Sequence, residues 1–167
     1  MTATVTKSKS VPSPRSRRPS GAATVATALP MRRYIESSAL VAALLEGDTA
    51  ARASIRAEGQ RVTSALTFTE TNRAVLRARL SGRITAQQER AALLTLKQFT
   101  RRVHIVTVTE AILAHAGRRF PVEPIRTLDA IHLATAEALG DPPALVTIVT
   151  RNVGVRDNAN ALGYPVE

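Results

Sequence analysis

The sequence predicts an α/β fold over residues 31–167, a small parallel sheet of about 4–5 strands flanked by helices. Three observations predict it. Short apolar β-like runs recur between stretches of helical periodicity. The strand-helix order repeats, which implies parallel strands joined by right-handed crossovers. Finally, the apolar share, 44% of 167 residues with Ala and Leu abundant, supplies a core for one domain and leaves no room for a second.

Residues 1–30 are rich in Ser, Pro, Thr and Ala with basic residues interspersed and no periodicity, and a disordered basic tail is expected there. Arg17-Arg18 and the threonine-diluted stretch after it imitate an export signal only faintly, so export is not expected. Met31 leads straight into the first strand and is the more economical initiator.

Tyr34-Ile35 reads as that strand, and Ser37-Ser38 is expected to cap a helix over Ala39 to Leu45, ended by Gly47. Asp48 then caps a second helix to about Glu58. Val62 to Leu66 is the next strand, followed by a helix from about Phe68 to Leu80 that Ser81-Gly82 breaks. A longer amphipathic helix covers about Ala86 to Thr100, with Ala91, Leu94, Leu96 and Phe99 on its apolar face. Val103 to Val108 reads as a strand, Glu110 to Arg118 as a helix, and Thr127 as the cap of a helix over Leu128 to Leu139. Pro142-Pro143 separates that helix from the strand Ala144 to Thr150. A last helix, about Val155 to Leu162, ends at Gly163, and Pro165-Val166 adds an edge strand.

Charge and composition narrow the chemistry. The formal charge is +10, and residues 1–33 carry seven Lys or Arg and no acid, so residues 34–167 hold only +3. A polybasic arm suits a polyanion such as RNA, and the stretches Arg73-Arg77-Arg79-Arg83 and Arg101-Arg102 are read first as solvated helix faces. Cysteine is absent, which excludes disulfides and thiolate metal sites. No apolar run approaches the roughly 20 residues of a membrane span, and a soluble cytoplasmic protein is expected. No His pair has zinc spacing, and neither a P-loop nor a Gly-x-Ser-x-Gly elbow occurs.

What remains is a set of acids placed just after the apolar runs. Glu36 follows Tyr34-Ile35, Glu70 follows the second run, Asp129 opens an apolar helix, and Asn152 follows the last strand. In a parallel sheet such positions crowd the carboxyl edge, where open α/β folds bind ligands. Carboxylates gathered there suit Mg²⁺ or Mn²⁺, hard cations with oxygen ligands, and phosphate ester cleavage is the natural chemistry. Each acid also has a structural reading. Thr67-Phe68-Thr69-Glu70 satisfies a capping box, and Asp129 in a first turn suits the helix dipole. Glu36 ends an apolar strand and opens an apolar helix, so its charge requires a partner such as a metal or an arginine. His132 is read as packing or bonding to backbone, with His104 and His115 as structural. Thr150 and Asn152 suit either an ordinary turn or the orientation of a water or phosphate.

Taken together these segments resemble the PIN domain, and more narrowly the VapC-type toxins of toxin-antitoxin pairs, over about residues 31–167. Tyr34-Ile35-Glu36-Ser37-Ser38-Ala39-Leu40-Val41 looks like the opening strand, acid and helix start. Ser64 to Glu70 is similar to the second motif, Leu128-Asp129-Ala130-Ile131-His132-Leu133-Ala134 to the most specific one, and Val149 to Gly163 to the closing one. Two positions depart. Glu36 stands where the family usually has aspartate, and so does the uncharged Asn152, for which Asp157 is a possible substitute acid.

The resemblance implies a three-layer PIN-like fold and a Mg²⁺-dependent endoribonuclease cutting structured RNA such as tRNA or rRNA loops. A homodimer inhibited by a VapB-like antitoxin is implied with it. In that reading Glu36, Glu70 and Asp129 hold the metal, Asn152 and Thr150 position water, and Arg151 and Ser38 serve the phosphate or the water. The rival readings are a catalytically impaired PIN domain that binds RNA or antitoxin, a PIN nuclease acting elsewhere, and a receiver-like or phosphatase domain. The last needs a strand-end aspartate where this chain has glutamate.

Overall fold

A computed structural model describes residues 1–2 and 31–167; the basic tail expected over residues 1–30 lies, but for its first two residues, outside them. Strands β1 (Arg32–Ile35), β2 (Gln60–Ser64), β3 (His104–Val106) and β4 (Val146–Val149) form one sheet in the order β3-β2-β1-β4. Every pairing is parallel. The expected fifth strand is reduced to a single parallel bridge between Val166 and Ile148.

The helices are α1 (Ser37–Leu45), α2 (Thr49–Arg56), α3 (Ala65–Leu80), α4 (Ala86–Thr100), α5 (Glu110–Ala116), α6 (Thr127–Glu137) and α7 (Val153–Ala161). They cover both faces of the sheet, because alternate strand residues point to opposite sides. Tyr34, Val62, Val146 and Ile148 face Leu133, Ala136, Val155 and Ala159 of α6 and α7. Ile35 and Val149 face Ala39, Leu40, Ile55 and Leu96 of α1, α2 and α4. The result is the three-layer arrangement that the sequence led us to expect.

Several boundaries differ from expectation, each for a local reason. Helix α3 starts at Ala65 because Ser64 caps it, its Oγ accepting from the Leu66 amide at 3.2 Å. Thr67 is therefore inside the helix, its buried hydroxyl accepting from Thr63 at 2.9 Å, and the Thr67–Glu70 capping box does not form. Helix α1 is capped by Glu36 itself, which accepts from the Ser38 amide, rather than by Ser37 or Ser38. Arg126 occupies the cap position of α6 with no side-chain bond, so Thr127 is its first residue and not its cap. On α4 the buried stripe is Ala92 and Leu96 with Phe99 half-buried, an i, i+4, i+7 spacing, and Leu94 stands 58% exposed.

Candidate metal centre

The carboxyl ends of β1 and β4, the start of α3 and the start of α6 meet at one edge of the sheet. The chain leaves β1 at Ile35 and turns at once into α1, so Glu36 sits at the turn with its carboxylate folded back over the first helical residues. That side chain is 2% exposed. Oε1 accepts from Ser37 Oγ at 2.6 Å and from the Ser38 amide at 3.0 Å. Oε2 accepts from Thr150 Oγ1 at 2.8 Å and from the Ser38 hydroxyl. Four donors fill the lone-pair directions a carboxylate offers and stand in for the water it has lost. Glu36 thus ends its strand and caps its own helix at once.

Thr150 and Ser38 thus meet at Glu36. Ser38 Oγ also accepts from the Arg151 amide at 2.8 Å, and Thr150 Oγ1 accepts from the Asn152 amide at 3.0 Å. Arg151, considered above for the phosphate, directs its guanidinium to Asp48, with Nε 2.7 Å from Oδ2. This ties the loop after β4 to the cap of α2. The Asp48 carboxyl is held down to about 2, first by the Arg151 hydrogen bond and then by the Ala51 amide.

Glu70 lies in the second turn of α3 and is half-buried. Its Oε2 is 2.6 Å from Nε2 of His132, which is 1% exposed. Burial pushes the Glu70 carboxyl up, but the His132 hydrogen bond and charge outweigh it and the net displacement is downward. The other ring nitrogen of His132 is 2.9 Å from the Tyr34 hydroxyl. Ligand atoms of Glu36, Glu70 and His132 all lie within 4.8 Å of one another. His132 is neither merely packed nor bonded to backbone, as the sequence suggested; it stands between two acids.

Asp129, in the first turn of α6, is 9% exposed. Its Oδ1 accepts from Asn152 Nδ2 at 2.9 Å, while Asn152 Oδ1 caps α7 by accepting from the Val155 amide at 3.2 Å. Desolvation pushes the Asp129 carboxyl above its ordinary range, opposed by the Asn152 bond and reinforced by the Glu36 charge. Gly154 lies beside Oδ2, and a Cβ there would stand in ordinary contact with it at 3.6 Å. Asp157 is exposed on α7, outside the carboxylate group.

The donor set fits a hard divalent cation. Asp129 feels Glu36 as a like charge that opposes its ionisation, and an ion between the acids relieves that opposition. Oδ2 of Asp129 and the second oxygen of Glu70 face no ion-pair partner among the described residues. Glu36 joins them as a ligand only by exchanging a hydroxyl donor, and Ser38 and Thr150 can rotate to allow it.

A sheet of this order with acids at its carboxyl edge defines an open α/β domain with a metal-compatible edge. The chain belongs to the PIN domain family, which it matches over residues 33–159. Over 135 residues it is 38% identical to Ribonuclease VapC46 of Mycobacterium tuberculosis, covering 80% of this chain and 94% of that one. Among solved structures it resembles M. tuberculosis VapC20, described as a Sarcin-Ricin loop cleaving toxin. The TM-score is 0.57 at 18% identity, over 79% of this chain and 95% of that chain. VapBC-1 from nontypeable Haemophilus influenzae gives 0.51 at 16% identity, over 82% and 97%. Both structures establish the shared fold.

Proposed function

We propose that the protein is the ribonuclease of a toxin-antitoxin pair, a Mg²⁺- or Mn²⁺-dependent endoribonuclease that cuts exposed loops of structured RNA such as tRNA or rRNA. The observation that carries the proposal is the grouping of Glu36, Glu70 and His132 within 4.8 Å of one another, with Asp129 near enough to feel the Glu36 charge, at the carboxyl edge of a PIN-domain sheet. Glu70, Asp129 and Glu36 are the residues that would hold the cation. When bound, it supplies Lewis acidity toward the phosphate and a water acidic enough to yield hydroxide near neutral pH. Asn152 aims Asp129, Ser38 and Thr150 aim Glu36, and the acids take up the proton of the attacking water. Loop RNA suits an open edge of this kind because unpaired nucleotides let the backbone approach carboxylates that a duplex would hold off.

The partners follow from the same reading. The likeness to VapC ribonucleases and to VapBC-1 supports a VapB-like antitoxin, and a homodimer is part of the same proposal. A groove of about 730 Å³ between α1, α2 and α4 is lined by Leu40, Leu44, Ile55 and Phe99 and rimmed by Arg52, Arg56, Arg61 and Arg102. None of the four arginines forms an ion pair among the described residues. An apolar antitoxin segment with acidic flanks fits such a rim. No helix among the described residues is long and apolar enough to cross a membrane, in keeping with action on RNA in the cytoplasm.

The catalytically impaired reading keeps one observation in its favour: Glu36 is saturated by four protein donors and Asn152 brings no charge. Incubating the purified protein with total cellular RNA in Mg²⁺, Mn²⁺ or EDTA decides between them. Discrete fragments that require metal and vanish in Asp129→Asn support the nuclease; intact RNA from a folded protein that still binds RNA or antitoxin supports the impaired module.

A further inference from the structure

Tyr34 on β1, His132 on α6 and Glu70 on α3 form a chain running from the core to the carboxylate group. Tyr34 and His132 are each 1% exposed, and their rings meet edge to face at 6.1 Å between centroids. The phenol oxygen is 2.9 Å from Nδ1, and Nε2 is 2.6 Å from Glu70 Oε2 and 3.8 Å from Glu36 Oε1. An ionised carboxylate only accepts, so the proton of this bond sits on Nε2. A nitrogen that carries a proton toward Glu70 has no lone pair for a cation. Turning the ring to offer Nδ1 instead would give up the bond to the Tyr34 hydroxyl and leave that hydroxyl only Thr135 and Ser64 beside it.

We propose that Tyr34 and His132 form a buried positioning relay that fixes one oxygen of Glu70 and leaves the other for the cation, so that His132 places a metal ligand without being one. The inference rests on the proposed metal site and deepens it. Rotating Glu70 about its flexible side chain is the motion the relay suppresses, and Glu70 needs the restraint most. It rises from the second turn of a helix and is half-buried, whereas Glu36 is locked by four donors and Asp129 by Asn152. Residues that orient a metal ligand through hydrogen bonds typically change affinity about 10–100-fold when removed.

The test is Mn²⁺ binding to the full chain by calorimetry, together with electron spin echo spectroscopy of the bound ion. His132→Leu should weaken Mn²⁺ by about tenfold or more, and His132→Gln, whose amide can still donate to Glu70, should recover most of that loss. Tyr34→Phe keeps the ring packing and removes only the hydroxyl, so it should fold and fall between the two. The unaltered protein should show no modulation from a directly coordinated imidazole nitrogen. Directly bound nitrogen overturns the relay by making His132 a ligand, and so does unchanged Mn²⁺ affinity in both His132→Leu and Tyr34→Phe. Failure of the underlying site looks different: the unaltered protein binds no Mn²⁺, or binding is indifferent to Glu70→Gln and Asp129→Asn.

Discussion

Asn152→Asp would place a second carboxylate where an amide now donates to Asp129 Oδ1 at 2.9 Å. Asp129 is only 9% exposed, so solvent screens little of the change. A hydrogen bond to a charged acceptor contributes about 1.5–3 kcal/mol, and it is lost. Two like charges about 4 Å apart repel by about 4 kcal/mol at an effective dielectric of about 20. Side-chain rotation and retention of a proton relieve part of this, leaving an expected loss of about 2–5 kcal/mol at pH 7 in EDTA. A domain of this size melts about 2–4 °C lower per kcal/mol, so the melting temperature should fall by about 4–20 °C.

The sign with pH is fixed. Asp129 already sits above its ordinary range, and the variant lifts it further. An acid raised in the folded state destabilises the fold above its unfolded pKa of about 3.9, so the difference between the two proteins should shrink below about pH 4. Saturating Mn²⁺ should recover most of the loss, because the new carboxylate becomes a ligand and binding to the folded state stabilises it. Thermal melts in EDTA and in Mn²⁺, at pH 7 and pH 4, are sufficient. An unchanged melting temperature in EDTA, or an equal loss with and without Mn²⁺, refutes the reasoning.

Asp48, held down to about 2 chiefly by Arg151, stabilises the fold above its unfolded pKa of about 4, and that contribution is lost as pH falls toward 2. Asp48→Asn should therefore flatten the acid limb of stability between about pH 4 and pH 2, read by urea unfolding at several pH values. Leu133, 1% exposed in the cluster under Tyr34, should cost about 2–5 kcal/mol as Leu133→Ala in the same assay. Charge reversal at Arg56 and Arg102 on the rim of the α1, α2 and α4 groove should slow capture of the antitoxin, measured by surface plasmon resonance, while leaving metal-dependent RNA cleavage in place.

Local signals carried most of the fold. Thr85 and Gln88 form a reciprocal capping box, and α4 runs over the residues expected. Asp48 caps α2 because its carboxylate reaches the Ala51 amide at 2.8 Å. Where two caps compete, sequence cannot choose: Ser64 and Thr67 are three residues apart and either suits a helix start, and the sheet decides because Ser64 is still paired with Val106 of β3. The site divides in the same way. Glu36 and Asn152 were legible because they follow β1 and β4, whose carboxyl ends a parallel sheet places at one edge, while Glu70 and Asp129 arrive there from the first two turns of α3 and α6. His132 was not, since its meaning lies in Tyr34 and Glu70, 98 and 62 residues away. Arg151 presents the same difficulty, its partner Asp48 being 103 residues distant. In both, a side chain that local pattern leaves neutral acquires its role from a contact that only the tertiary fold creates.

The most direct test of a carboxylate-held metal nuclease is the chemistry of the ends it leaves. RNA cut by the full chain in Mg²⁺ or Mn²⁺ should carry 5′-phosphate and 3′-hydroxyl termini, the outcome of water attacking the phosphate, with no cleavage in EDTA or by Asp129→Asn. Termini bearing a 2′,3′-cyclic phosphate, or cleavage that persists in EDTA, would contradict the account.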